Sequence, residues 1–187
     1  MSLPIDIYNN IDFLDKRNVV DKYKGKTNEF IKEDLKTQSL PFAVLMFNLQ
    51  QDFNLASVIR SSNALGAEKV FYFGEKKWDR RGATGAHHYI EVERIKCLKE
   101  LWDLKKEYSF VALEQCSTSI DIRKFNWKTQ KKPLIILGEE GCGLSEDTIK
   151  LCDFAIEIPQ RGSIRSVNAA VAASIAMYDF VNKFEEA

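Results

Sequence analysis

The chain is poor in the residues that build metal centres and disulfide frameworks. Of its 187 residues only two are histidine and four are cysteine. Cys97, Cys116, Cys142 and Cys152 show no C-x-x-C spacing, and the two histidines, His87 and His88, are adjacent. Neither a zinc site nor a bridged framework is expected, so no metal is assigned. Most of the cysteines read as small buried hydrophobes. Long apolar runs are also missing, and nothing approaches the roughly 20 residues that span a bilayer. The first residues lack a basic segment leading into an apolar core, so a signal peptide is not expected and the default compartment is the cytoplasm. Net charge is absent too, with 27 basic against 27 acidic residues. Global charge therefore gives no case for a nucleic-acid partner, and any such case must rest on local patches.

What is present is an alternation of short apolar runs and helical patterns. Residues 1–40 read as a polar helical extension: Ile11, Phe13, Leu14, Val19, Val20 and Tyr23 recur at near-helical spacing, then Phe30, Ile31 and Leu35, with Gly25 dividing the two pieces. From Pro41 the pattern changes. Residues 42–47 form a continuous apolar run, as expected of a strand buried on both faces. A helix is expected over 54–65, ended by Gly66. Further strands are expected at 70–73, 110–113, 134–137 and 154–158. Helices are expected at 98–104, at 144–151 with Ser145 as a cap, and at 166–184 opened by Ser166. Five alternations predict an α/β fold with a mostly parallel sheet and helices on both faces. In such sheets ligands bind at the carboxyl ends of strands, so the segments that follow strands carry the functional argument.

Three of those segments stand out. The first runs from Asn54 to Arg60. Alone it reads as an Asn near a helix start plus a surface Arg. The second is Leu137-Gly138-Glu139-Glu140-Gly141-Cys142-Gly143-Leu144. Its three glycines permit tight turning and close backbone approach to a ligand. It lacks the Lys-Ser/Thr of a phosphate-binding loop and the spacing of a dinucleotide fingerprint. The third runs from Ile158 to Asn168, where a loop holding Gly162 leads into a helix through Ser166 and Asn168. Read singly, its plain meaning is an N-cap followed by a close-packed helix.

In this order and at these spacings the three segments resemble the SpoU/TrmH family of RNA 2′-O-ribose methyltransferases. The family pattern is N-x-x-x-x-x-R, then G-x-E-x-x-G, then I-P-x-x-G-x-x-x-S-x-N. Here it is met by Asn54 and Arg60, by Gly138, Glu140 and Gly143, and by Ile158, Pro159, Gly162, Ser166 and Asn168. The likeness covers the chain from about Pro41 to its end. Ala56 and Val167 depart mildly from the family's usual Gly and Leu. Residues 160–166 and Leu113-Glu114-Gln115 also resemble the branch of eukaryotic tRNA guanosine 2′-O-methyltransferases that act on the D-loop.

The resemblance implies more than periodicity shows. It implies a C-terminal trefoil knot, a homodimer whose interface helps to build the active site, and S-adenosyl-L-methionine as cofactor. It divides the chain into an extension, 1–40, and a methyltransferase domain, 41–187. It assigns Arg60 to activation of the ribose hydroxyl, with Asn54, Glu140, Ser166 and Asn168 shaping the catalytic pocket. Leu113, Glu114, Leu137, Gly138, Gly143, Ile158, Gln160, Ser166 and Val167 would hold the cofactor. RNA recognition needs positive charge and stacking surfaces. Lys77, Arg80, Arg81 and Arg165 are the expected contacts, because their loops follow strands that frame the site. The basic run 123–132 reads at least equally as a solvated face. The expected activity is ribose 2′-O-methylation of tRNA or rRNA, tRNA favoured. The alternative is a non-catalytic RNA-binding or assembly factor with the same fold.

Overall fold

The computed structural model describes residues 15–48, 53–74, 77–129, 131–139 and 141–185. Its strands grow from the apolar runs. They are β1 (Leu40–Asn48), β2 (Ala67–Gly74), β3 (Glu91–Ile95), β4 (Ser109–Leu113), β5 (Ile120–Asp121), β6 (Pro133–Leu137) and β7 (Phe154–Glu157). The helices are α1 (Asn28–Gln38), α2 (Asn54–Ala64), α3 (Leu98–Leu104), α4 (Glu146–Leu151) and α5 (Ala169–Glu185). All seven strands join one sheet in the order β3-β2-β1-β6-β4-β7-β5, and every pairing is parallel. The expected mostly parallel sheet is thus parallel throughout.

Alternation along the strands gives the sheet two apolar faces. Val70, Val44, Ile135 and Val111 lie in register across β2, β1, β6 and β4, and they meet Leu55, Val58 and Ile59 of α2 and Ala173, Met177 and Phe180 of α5. Phe71, Leu45, Ile136, Ala112 and Ala155 form the neighbouring row, which points the other way. It packs on Leu101 of α3 and, through Ile149, on α4. Helices therefore cover both faces. α5 is closely packed because Ala170, Ala173 and Ala176 let it approach the sheet. Asp179 on that helix accepts from Trp127 Nε1 and from Lys183 Nζ, both at 2.8 Å. Lys183 also donates to the backbone oxygens of Ile122 and Phe125, so α5 latches the 122–129 segment in place.

Two strands were not expected from the sequence. β3 reads Glu-Val-Glu-Arg-Ile and sits at an edge, where charge blunts further pairing and masks the apolar signal. β5 is two residues long. The closing helix also starts later than expected. Asn168, not Ser166, caps it: its Oδ1 accepts from the backbone N–H of Ala170 at 3.0 Å and of Val171 at 3.2 Å. Residues 165–167 stay in the loop as a result.

The described part of the extension, residues 15–40, is only partly helical. Asp21–Tyr23 is a single 3-10 turn rather than part of a longer helix, and α1 follows, capped by Thr27. Tyr23, Ile31 and Tyr89 make a small cluster of their own, joined by Val19 and Leu35. Ile11, Phe13 and Leu14 lie outside the described residues. The cysteines correct the sequence reading: Cys97 and Cys142 are exposed, and Cys116 and Cys152 only partly buried. Among the described residues, no helix is long and apolar enough to cross a membrane.

Candidate active site

Three strands that are neighbours in the sheet, β6, β4 and β7, end at one place. Leu137, Leu113 and Glu157 are their last residues. The chain beyond them forms a cleft of about 390 Å³, within the range of small-molecule sites. Leu113, Glu114, Leu137, Gly138, Gly143, Ile158, Gln160, Ser166 and Val167 all line it, as do Arg165 and Asn168. Segments distant in sequence are therefore brought into one wall.

The glycine loop is shaped by contact rather than by flexibility. A Cβ on Gly138 would stand 2.1 Å from the carbonyl carbon of Gly143 and 2.5 Å from the backbone N of Leu144. The two segments touch backbone to backbone, and Gly143 N donates to Glu139 O at 3.0 Å. Gly143 has φ +65°, and a Cβ there would meet Glu114 Oε2 at 2.4 Å. Glu114 explains the closeness. Its carboxylate accepts from Leu144 N at 2.8 Å and from Gln115 N at 3.0 Å, which ties the end of β4 to the glycine loop. Gln115 Nε2 reaches the backbone oxygen of Arg165 at 3.4 Å and ties in the third segment. The cleft floor is thus a set of backbone groups held by two side chains of the β4 terminus.

The first segment is placed differently. Neither Asn54 nor Arg60 lines the cleft. Asn54 opens α2, is 7% exposed, and accepts from Asn168 Nδ2 at 2.8 Å through its Oδ1. This bond joins α2 to the cap of α5, at the rim of the cleft. Ser174 Oγ to Ser61 Oγ at 2.8 Å continues the same seam. Arg60 lies about 9 Å further along α2 by helical rise. It is exposed and makes no hydrogen bond or ion pair among the described residues. Ser57, one turn back on α2, and Ser61, the next residue, border a shallow groove against Val171, Ile175 and Tyr178 of α5. Glu140 lies outside the described residues.

The four expected RNA contacts are exposed, and they differ in their partners. Arg81 is held by Asp79: its backbone N and Nε donate to the carboxylate at 2.9–3.0 Å, so much of its fork is occupied. Hydrogen bonding to Arg81 holds the Asp79 carboxyl below the usual carboxylate range. The Arg80 guanidinium lies over Trp78, 5.7 Å from the ring centre, in the same loop. Trp78 in turn meets His87 edge-on at 5.7 Å. Arg165 lies on the cleft itself. In the basic run, Arg123 is tied to Asp121, and Lys132 bridges Glu68 and Glu107, which agrees with a solvated face.

Against this geometry, a model of the SpoU rRNA methylase family matches residues 41–178. The chain belongs to that family. A protein of Staphylococcus aureus assigned to the TrmH family of tRNA/rRNA methyltransferases is 30% identical over 162 residues, 83% of this chain. The chain spans 64% of that relative's length. The A. aeolicus TrmH/SpoU tRNA modifying enzyme has the same fold, with a TM-score of 0.73, 22% identity and 85% of each chain covered. The SpoU methyltransferase AviRb from Streptomyces viridochromogenes, solved in complex with AdoMet, superposes with a TM-score of 0.71 at 26% identity. That match covers 78% of this chain and 61% of AviRb.

In this SpoU-family cleft the sequence reading assigns no site role to Glu139, Gly141 and Cys142 of the glycine segment or to Glu157, Ala169 and Ala172, which also line the wall. Glu139 is the most informative of them, because it is only 6% exposed. Its signal was positional: a carboxylate directly after a buried strand, inside a glycine turn.

Proposed function

We propose that the protein is an S-adenosylmethionine-dependent methyltransferase acting on a ribose 2′-hydroxyl of tRNA or rRNA, with tRNA favoured. Guanosine in the D-loop is the preferred nucleotide, on the likeness of residues 160–166. The observation that carries the reading is the convergence of the glycine loop, the 158–168 loop and the end of β4 on one cleft. The fit to the cofactor is chemical as well as spatial. The wall offers backbone groups at Leu137, Gly138, Ile158 and Gln160, apolar surface at Leu113 and Val167, and an enclosed carboxylate oxygen on Glu139 that lacks a donor among the described residues. A close backbone contact that a Cβ on Gly138 would destroy keeps that wall in shape. When bound, S-adenosylmethionine supplies an electrophilic methyl group on a positively charged sulfur.

The chain's own residues divide the remaining work. A ribose hydroxyl is a weak nucleophile, so its developing alkoxide needs stabilisation and alignment. Arg60 is the residue for this. A guanidinium is a poor base, so Arg60 stabilises the developing alkoxide electrostatically, and the hydroxyl proton leaves to water. Asn54 and Asn168, hydrogen-bonded to each other, set α2 against the cleft rim. Ser166 and Glu140 complete the pocket. Lys77, Arg80, Arg81 and Arg165 contact RNA, and Trp78 offers a stacking face beside them.

Arg60 stands outside the cleft of its own chain, and this supports a homodimer. The exposed face of α5 presents Val171, Ile175 and Tyr178, 50%, 39% and 63% exposed, at successive turns. The α2 residues that flank Arg60 border the same groove. A second copy seated there would bury the stripe and bring Arg60 towards its partner's cleft. The trefoil knot belongs to the same reading, with the 138–144 and 158–168 loops packed side by side on the cleft. So does a cytoplasmic location, where structured RNA is found, and so does the division into a 1–40 extension and a 41–187 catalytic domain.

The test is methyl transfer from labelled S-adenosylmethionine to bulk tRNA and rRNA, followed by digestion to nucleosides. Label in 2′-O-methyl nucleosides supports the proposal. Label on a base would make this a different RNA methyltransferase. RNA binding without transfer would make it a non-catalytic RNA-binding factor.

A further inference from the structure

Glu139 follows Gly138 at the end of β6 and lines the cleft. Its Oε2 is approached by Cys142 Sγ at 3.7 Å, while its enclosed Oε1 has no hydrogen-bond partner among the described residues. An enclosed carboxylate oxygen without a donor is unfavourable, and native proteins rarely leave one without a purpose. The backbone gives it no easy retreat. Gly143 N is bonded to Glu139 O, and Gly138 is pressed against Gly143 on the other side. Glu114, the carboxylate beside it in the cleft, has donors for both oxygens. Glu139 is therefore the acceptor in this wall that waits for a ligand.

We infer that Glu139 receives the α-ammonium group of the cofactor's methionine portion and so sets the cleft's preference for ligands that carry it. This rests on the reading of the cleft as the S-adenosylmethionine site. The choice of group follows from what an orphaned acceptor needs, which is a hydrogen. The sulfonium carries charge but no hydrogen to donate. The adenine amino group donates but is neutral. The ammonium group has three N–H donors and a full positive charge, and charge-assisted bonds to carboxylates are about twice as strong as neutral ones. Torsion about the last bond of a glutamate side chain is broad, so either oxygen can turn to the ligand. Position 139 is the unspecified one in the G-x-E motif, so the inference concerns this chain rather than the family pattern.

Calorimetric titration of the full chain with S-adenosylmethionine, S-adenosylhomocysteine and 5′-methylthioadenosine tests it. The first two carry the ammonium group, only the first carries the sulfonium, and the third has neither. Glu139→Gln is expected to weaken the first two by a common factor of about tenfold or more, as for loss of a charge-assisted bond. It should leave 5′-methylthioadenosine within about twofold. Unliganded Glu139→Gln should melt no lower than wild type, because the isosteric amide gives up no protein partner at the Oε1 position among the described residues. Weakening of S-adenosylmethionine alone would move the contact to the sulfonium and overturn the inference. Equal weakening of all three with a lower melting temperature would make Glu139 a prop for the loop, and no change in any would remove its role. A wild-type chain that binds none of the three would overturn the cofactor reading itself.

Discussion

Substituting Gly138 by Ala gives the sharpest test of how the cleft is built. The added Cβ would stand 2.1 Å from the Gly143 carbonyl carbon and 2.5 Å from its oxygen. Both are backbone atoms, so no side-chain rotation relieves the clash. To reach ordinary contact at 3.4 Å, the facing strand of the loop must retreat by about 1.3 Å. That movement pulls on the Gly143 N to Glu139 O bond and on the Leu144 N to Glu114 bond. Overpacking of this kind costs about 1–3 kcal/mol, a melting temperature lower by about 2–12 °C for a chain of this size. The functional loss should be larger. Misplacement by about 1 Å in a preorganised site costs on the order of a hundredfold in rate. Two neighbouring glycines are the controls. A Cβ on Gly141 meets nothing within 4 Å, but its φ is +99°, so Ala there carries only backbone strain, about 1 kcal/mol. Gly162 has open space and no positive φ, so Ala there should be neutral. The assay is thermal unfolding with calorimetric titration of S-adenosylmethionine for the three variants. The expected order of damage is 138, then 141, then 162. A Gly138→Ala protein that binds cofactor like wild type would refute the account of the cleft as a backbone-to-backbone contact.

Arg60→Ala should abolish most methyl transfer while leaving S-adenosylmethionine affinity within about twofold, because Arg60 does not line the cleft of its own chain; unchanged single-turnover transfer would remove it from the mechanism. Asn168→Ala should lower stability by about 1 kcal/mol through loss of the α5 cap. Asn168→Asp keeps the acceptor for Ala170 and Val171 but loses the donor to Asn54. The Asp variant should therefore melt near wild type yet transfer poorly, and equal transfer by wild type and the Asp variant would dismiss the Asn54 bond. Acid should act through the Asp-x-Arg turns. Asp121 is lowered from the usual 3.8 to about 2 by its bond to Arg123, and Asp15 and Asp79 are lowered by Arg17 and Arg81. A depressed folded pKa gives stability that is present above the unfolded value and lost as pH falls through the folded one. Melting temperature should thus drop between about pH 4 and pH 2, less steeply in Asp121→Asn, and a flat profile there would count against these turns.

The elements that were legible in the sequence are those fixed by local pattern. β1, β4, β6 and β7 are runs whose large apolar side chains pack into one or other of the two clusters that flank the sheet, whichever face they point to. The helix of 146–151 announced itself through Ser145, whose Oγ accepts from Thr148 N. The glycine loop and the 158–168 loop were legible because a ligand loop needs glycines and polar groups where a plain connection does not, whereas Asn54 and Arg60 stood out only through their spacing to those two loops. Glu139 was named within its motif but not singled out, since nothing in Gly138-Glu139-Glu140 says which carboxylate is enclosed.

What only the tertiary structure decided is relational. The edge strand β3 exists because β2 offers it a ladder, not because Glu-Val-Glu-Arg-Ile prefers extension. The start of α5 moved to Asn168 because that side chain caps the helix while also reaching Asn54, 114 positions earlier in the chain. Arg60 and the cleft are both present in the sequence, yet their separation appears only once α2 is laid beside α5. Spacing along a chain fixes which residues share a face. It does not fix which faces meet, because that depends on strand order and on packing between segments far apart in sequence. The sequence alone therefore determined the parts list of a SpoU-type site. Folding determined that the 138–144 and 158–168 loops share one wall with the end of β4, while Arg60 does not line it.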